Sequence, residues 1–230
     1  MKVTLISTTQ PDTSLQEQGI RTAEDLIVYC ARVSNPDNQL NVSTGPKLLR
    51  YCIEHGHWSV FEQASMTVEI TTSRAISAQI LRHKSVSFQE FSQRYAQVGS
   101  SGEYFEEVEI RLANPSGNRQ GSIQGVLPPI KWKGVMTPMS VAIDEHLASS
   151  RELYEAIVGA GGAPECARMV LPLCTRTTLY MTGCVRSWIH YLKQRLDSHA
   201  QKEHRDVAGA VLAVFKQQFP VCAEAAGLEG

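Results

Sequence analysis

The spacing of apolar residues changes character along this chain, and that change restricts the fold more than any other feature. Lys2–Thr8 and Ala64–Thr71 alternate apolar and polar residues, the twofold period of a half-buried strand. Ala23–Val33, Lys47–His55 and Ser73–His83 carry apolar residues at three-to-four spacing and predict helices, the second stopped by Gly56. Further helices are expected at Met139–Val158, at Glu165–Leu171 behind Pro164, at Val185–Leu196 and at His199–Phe219. Ser198 and Gln201 form a capping-box pattern at the start of the last. Thr177–Thr182 reads as a short strand or extended segment, and Tyr104–Leu112 as part of a second strand pair. Asn114–Gly134 has Pro, Gly and Asn but no period, so a long surface excursion is expected there. Regular βαβ alternation is missing. The expected fold class is therefore α+β, a mixed sheet with flanking helices and a helical C-terminal half, in a single domain over 1–230.

Composition removes several classes of function. Lys+Arg 22 against Asp+Glu 23 leaves a net charge of -1, so no global basic field exists to hold nucleic acid or an anionic membrane. No run reaches the roughly 18 apolar residues of a membrane span, and MKVTLISTTQPD reads as a first strand rather than a leader. The six Cys include no CxxC pair, which argues against a zinc site or a disulfide framework and for reduced, buried thiols in cytoplasm. An anionic ligand must be caught by a local cluster of cations.

Such a cluster lies between Arg82 and Tyr95, in RHKSVSFQEFSQRY. It has no clean period, which predicts a loop, and it opens where a helix ends and cations are favoured. Arg82, His83, Lys84 and Arg94 lie among three serines, the side chains that a phosphate monoester needs, and the aromatics offer faces to a flat ring. The same composition also describes a solvated charged loop or a reader of single-stranded RNA.

Arg82-His83-Lys84, seven residues and then Ser92 resembles the RHR-x7-S signature of flavin-dependent thymidylate synthases, with Lys84 in place of the last Arg. Three further segments are similar to that family in order and spacing. They are His55-Gly-His57-x-Ser59-x-Phe61-Glu62, Ala167-Arg168-x-Val170-Leu171-Pro172 and Arg195-x-Asp197-Ser198-His199-Ala200-Gln201. The resemblance implies conversion of dUMP to dTMP with the methylene of 5,10-methylenetetrahydrofolate, a bound FAD reduced by NADPH, and a homotetramer with shared active sites. It implies dUMP ligands at Gln79, Ile80, Leu81, Arg82, Glu90, Phe91, Ser92, Gln93, Arg94, Arg168 and Arg195. FAD contacts are implied at Arg82, His83, Lys84, Glu90, Cys184, Val185, Arg186 and His190, with Ser59 reaching the flavin from a neighbouring subunit. His57 and Tyr95 match positions on the folate or nicotinamide side. Arg195 is implied as the catalytic cation that activates the uracil by stabilising charge on N3 and its carbonyls.

Other readings of these residues carry less. Ser92 lacks a nucleophile-elbow pattern, and no Cys lies in a motif of the thiolate route to dTMP. His55, His57 and Glu62 lack the spacing of a metal site, and no metal is expected; His146 and His204 read as solvated helix residues. Gly159-Ala-Gly-Gly162 follows a helix and reads as a linker rather than a dinucleotide loop. A hydroxymethylating relative and a catalytically silent nucleotide binder remain open alternatives.

Overall fold

The computed structural model describes residues 1–99, 102–115 and 121–228. The chain opens with β1 (Lys2–Thr8), α1 (Thr13–Glu17), α2 (Ala23–Ala31) and α3 (Gly45–Glu54). A 3-10 turn at Trp58–Glu62 leads into β2 (Ser65–Ser73), α4 (Arg74–Ile80) and β3 (Ser87–Glu90). Two short ribbons follow, β4 (Leu112–Ala113) with β5 (Ser122–Ile123) and β6 (Ile130–Trp132) with β7 (Val135–Thr137). The rest is α5 (Met139–Gly159), α6 (Pro164–Ala167), β8 (Arg176–Cys184), α7 (Val185–Arg195), α8 (Lys202–Gln218) and α9 (Pro220–Ala225). The result is a mixed α/β fold in which β1, β2, β8 and β3 pair in that order.

By contacts the chain forms two units. The first holds Met1, Thr71–Gln79 and Glu90–Thr178; the second holds Lys2–Ile70, Ile80–Gln89 and Leu179–Gly230. In the second unit, Met66, Val68 and Ile70 of β2 and Leu179 and Met181 of β8 are buried at every other position, as the twofold period requires. On α7, Val185, Trp188, Ile189 and Leu192 are buried, while Arg186, His190 and Lys193 face away. Trp188 fixes that rotation, since its Nε1–H donates to the Met66 carbonyl at 3.0 Å. On α8, Val207, Ala208, Val211 and Phe215 form the matching stripe. The first unit has a smaller core, where Val98, Tyr154 and Ala167 are buried and the Tyr154 hydroxyl accepts the Val98 N–H.

Several expectations are corrected. The stretch 84–95 is not all loop, because Ser87–Glu90 forms β3. The excursion 114–134 holds β5 and β6, although residues 116–120 of it lie outside those described. At the turn of the second ribbon, Lys133 and Gly134 take φ of 47° and 86°, as a two-residue hairpin loop demands. Tyr104–Leu112 is no strand. Phe105 makes one isolated bridge to Thr175, and Leu112 begins β4.

The capping box at Ser198 does not form. The Asp197 carboxylate takes the His199 N–H at 2.8 Å, Arg205 donates to the Ser198 and Ala200 carbonyls, and α8 starts only at Lys202. That helix ends at Gln218, where Pro220 opens α9. His204 is 0% exposed rather than solvated, because it shares the apolar stripe of α8. Cys166 is exposed, so the thiols are not uniformly buried.

Candidate active site

The second unit carries a cavity of about 880 Å³ between the 82–85 loop, the 58–62 turn and the outer face of α7. Arg82, Lys84, Arg186, His190 and Lys193 line it, with Trp58, Glu62 and Cys184. The loop reaches this place because the Ser187 hydroxyl donates to the Ser85 carbonyl at 2.7 Å, tying it to the first turn of α7. Arg186, His190 and Lys193 follow at helical spacing and share one face. Arg186 pairs with Glu62, whereas Arg82, Lys84 and Lys193 have no carboxylate within ion-pair distance among the described residues. Four cations against one carboxylate, beside the half-buried Trp58 indole, make a receptor for a phosphate-bearing ligand with a flat ring.

His83 also lines the cavity, although only 7% of it is exposed. Arg195, the last residue of α7, donates its Nε–H to Nε2 of His83 at 2.9 Å. Tyr191 meets the His83 ring edge-on at 4.9 Å between centroids, and His204 does so at 6.4 Å. Burial, with the Arg195, His190 and Arg82 charges adding to it, pushes the His83 pKa down to about 4. Burial, with Arg195 and His83 assisting, takes His204 down to about 3. Burial also raises the Tyr191 phenol well above its ordinary value. Both imidazoles are therefore neutral at pH 7, and Nε2 of His83 is an acceptor. Arg195 keeps its charge.

In the first unit, Arg94 donates to the Glu165 carboxylate at 3.2 Å, and Arg168 donates to the Glu165 carbonyl at 3.3 Å. The Ser92 hydroxyl accepts the Arg94 N–H at 3.4 Å. Gln93 is buried, and its amide nitrogen has no partner among the described residues. Glu90 is heavily engaged, for its Oε1 takes the Ser77 hydroxyl at 2.6 Å, the Thr177 hydroxyl at 3.0 Å and the Arg74 guanidinium at 2.8 Å. Phe91 gives its N–H to the Thr178 carbonyl, Gln79 is half-buried on α4, and Tyr95 is 84% exposed.

The second unit also contains implied residues that do not line the cavity. Ile80 and Val185 are wholly buried in the core, and the Val185 N–H is held by the Ala64 carbonyl. Leu81 is half-buried, Ser59 is exposed, and His57 is exposed against the edge of Tyr51. Among the described residues no group of three His, Cys, Asp or Glu could hold a metal.

A family model described as thymidylate synthase complementing protein matches residues 17–221. A probable flavin-dependent thymidylate synthase of Paramecium bursaria Chlorella virus 1 is 45% identical over 225 residues, spanning 98% of each chain. The chain belongs to the flavin-dependent thymidylate synthase family. The Synechocystis flavin-dependent thymidylate synthase is 46% identical over 226 residues, 98% of this chain and 99% of that one. Among solved structures, a UMP/dUMP methylase from Streptomyces cacaoi bound with 5-Br dUMP is similar at 26% identity and a TM-score of 0.75. That match covers 100% of this chain and 95% of the other.

For this member of the flavin-dependent thymidylate synthase family, Trp58, Glu62 and Lys193 line the cavity without being expected there. Lys193 was legible in principle, lying three residues beyond His190 and seven beyond Arg186 on one helical face.

Proposed function

We propose that this chain converts dUMP to dTMP, using the methylene of 5,10-methylenetetrahydrofolate and an FAD that NADPH reduces. The observation that carries this reading is the cavity whose Arg82, Lys84 and Lys193 have no carboxylate partner among the described residues. FAD fits that donor set. Its diphosphate needs several cations with their hydrogen-bond capacity free, and its flat ring needs an aromatic or aliphatic face such as Trp58 or Ile189. Arg82, Lys84, Arg186, His190 and Lys193 would hold it, with Cys184 at the mouth of α7 and the rim of His83. When bound, the flavin supplies the hydride that turns the transferred one-carbon unit into a methyl group.

The protein's own part is to bind, orient and polarise. Arg195 places a permanent positive charge beside the uracil, where negative charge on N3 and its carbonyls develops. No general base is required of it. Ser92, Arg94 and Arg168 are read as ligands of the dUMP phosphate, supported by two guanidinium groups that both turn to Glu165 in the first unit and by the Ser92 hydroxyl that accepts the Arg94 N–H. Gln79, Phe91 and Gln93 are read as further dUMP contacts, Ser59 as a flavin contact offered to a neighbouring subunit, and His57 and Tyr95 as folate- or nicotinamide-side residues. Ile80, Leu81 and Val185 could contribute only from positions where their side chains serve the core or its margin. Glu90 acts more as the knot joining α4, β3 and β8 than as a free ligand.

A homotetramer with shared sites and a cytoplasmic setting complete the proposal; no helix among the described residues is long and apolar enough to cross a membrane. The family match from residue 17 to 221 runs through both units and supports reading the chain as one domain.

The test is product analysis by mass after the purified protein meets dUMP, the folate and NADPH. A yellow protein that forms dTMP is expected. A colourless protein that rejects added FAD, or a product retaining the hydroxyl of a hydroxymethyl group, overturns the reading.

A further inference from the structure

We infer that His83 is a positioning residue for Arg195, whose guanidinium it aims by accepting the Nε–H while leaving its charge intact. The inference rests on the role proposed above for Arg195, and it gives the buried imidazole a task besides touching a flavin. The contact joins residues 112 positions apart, at 2.9 Å, and the ring that accepts it is 7% exposed. Occupying Nε orients the planar fork and leaves its Nη1/Nη2 edge for the substrate.

The chemistry of the acceptor matters. A carboxylate at this place would grip the guanidinium more strongly and neutralise the field that activation of a uracil needs. A neutral imidazole orients without neutralising.

The surroundings hold the ring in that form and place. From α7 it faces Tyr191, Arg195 and His190, from α8 His204, and from its own loop Arg82. None of these carries a negative charge at neutral pH, and two are permanent cations, so proton uptake by the ring is opposed from every side. Tyr191 and His204 also contact each other, at 5.8 Å between centroids, and close the far side of the cage. Rotation of the ring away from Arg195 would have to displace this packing.

The accepting atom gives a geometric test. Gln at position 83 can carry its carbonyl oxygen about as far as Nε2, whereas Asn reaches only as far as Nδ1. The holoenzyme at saturating FAD is assayed for kcat and for the dUMP KM, with flavin occupancy read from its absorbance. His83→Asn should lower kcat by about tenfold to a hundredfold, the span of one hydrogen bond to a charged group, with FAD occupancy retained. His83→Gln should restore most of that loss.

In an Arg195→Lys background, which has no Nε–H at the same reach, His83→Asn should cost less than about twofold more. Equal losses for Asn and Gln, an undiminished loss in the Lys background, or loss of FAD as the cause would each overturn the positioning role. If Arg195→Ala itself leaves dTMP formation at the parent rate, the fault lies with the role proposed for Arg195. That result is separate from any behaviour of His83.

Discussion

Two groups of cations in this chain are prepared for anions in different ways. On the outer face of α7 and the 82–84 loop, Arg82, Lys84 and Lys193 stand without carboxylate partners among the described residues. Their packing is secured from behind, by Trp188 on the Met66 carbonyl and Ser187 on the Ser85 carbonyl. In the first unit, Arg94 and Arg168 both turn to Glu165, one to its side chain and one to its backbone. The first arrangement keeps like charges together at a cost that a bound polyanion relieves. In the second, the phosphate proposed above as a ligand of Arg94 would have to compete with Glu165. A standing site suits a resident cofactor, and a site closed by a weak exposed ion pair suits a substrate that comes and goes.

The largest effect should come from emptying the standing site. Lys193→Ala is expected to weaken FAD binding by about tenfold or more at low salt, with the difference shrinking as salt rises. Flavin-fluorescence titration reads it. An unchanged affinity at low salt would reduce Lys193 to a solvated charge and remove half of the contrast.

Next in size is acid sensitivity, which should arise in the second unit, where the two buried imidazoles lie. Their pKa values fall from 6.5 to about 4 for His83 and about 3 for His204, so the unfolded chain takes up these protons first as pH drops. The folded state is therefore favoured fully above about pH 6.5 and loses stability progressively toward pH 4 and 3. Thermal melts should fall by several degrees between pH 7 and 4.5, and His204→Leu should flatten part of that slope. A slope that His204→Leu leaves untouched would place the acid sensitivity elsewhere.

The smallest effect is expected at the guarded site. Glu165→Gln frees Arg94 from an ion pair whose partners are 59% and 50% exposed, and such pairs are weak. The dUMP affinity should rise by about two- to fivefold at low salt, in calorimetric titration, and the gain should vanish at high salt. Weaker dUMP binding would show instead that Glu165 holds Arg94 in the geometry the phosphate needs.

Much of this was readable along the chain. The alternation of β2 and the helical period of α5 and α7 were legible because one face of each meets an apolar core, whereas β1 was legible from its alternating residues although none of them is fully buried. Arg82, Lys84, Arg186 and His190 were singled out as candidate flavin contacts by the family resemblance, and the structure gathers all four around one cavity. The ribbons β4–β7 were not, since strands of two or three residues are too short to show a period and depend on backbone pairing alone. β3 was hidden by its polar composition; only Phe88 and Glu90 point to its half-buried face. His204, expected to be solvated, is buried, and its spacing to Val207, Ala208 and Val211 places it on the apolar stripe.

By itself, then, the amino-acid order settled which segments coil, which extend, and which cations belong to the motifs, because these follow from neighbours a few residues apart. Tertiary packing alone decided that the outer face of α7 meets the 82–85 loop, that Glu90 is spent on three donors, and that Arg195 lies on a neutral His83. Those choices join side chains up to 112 residues apart. No local period encodes them; they are fixed by how a buried surface closes and by the need of each buried polar atom for a partner.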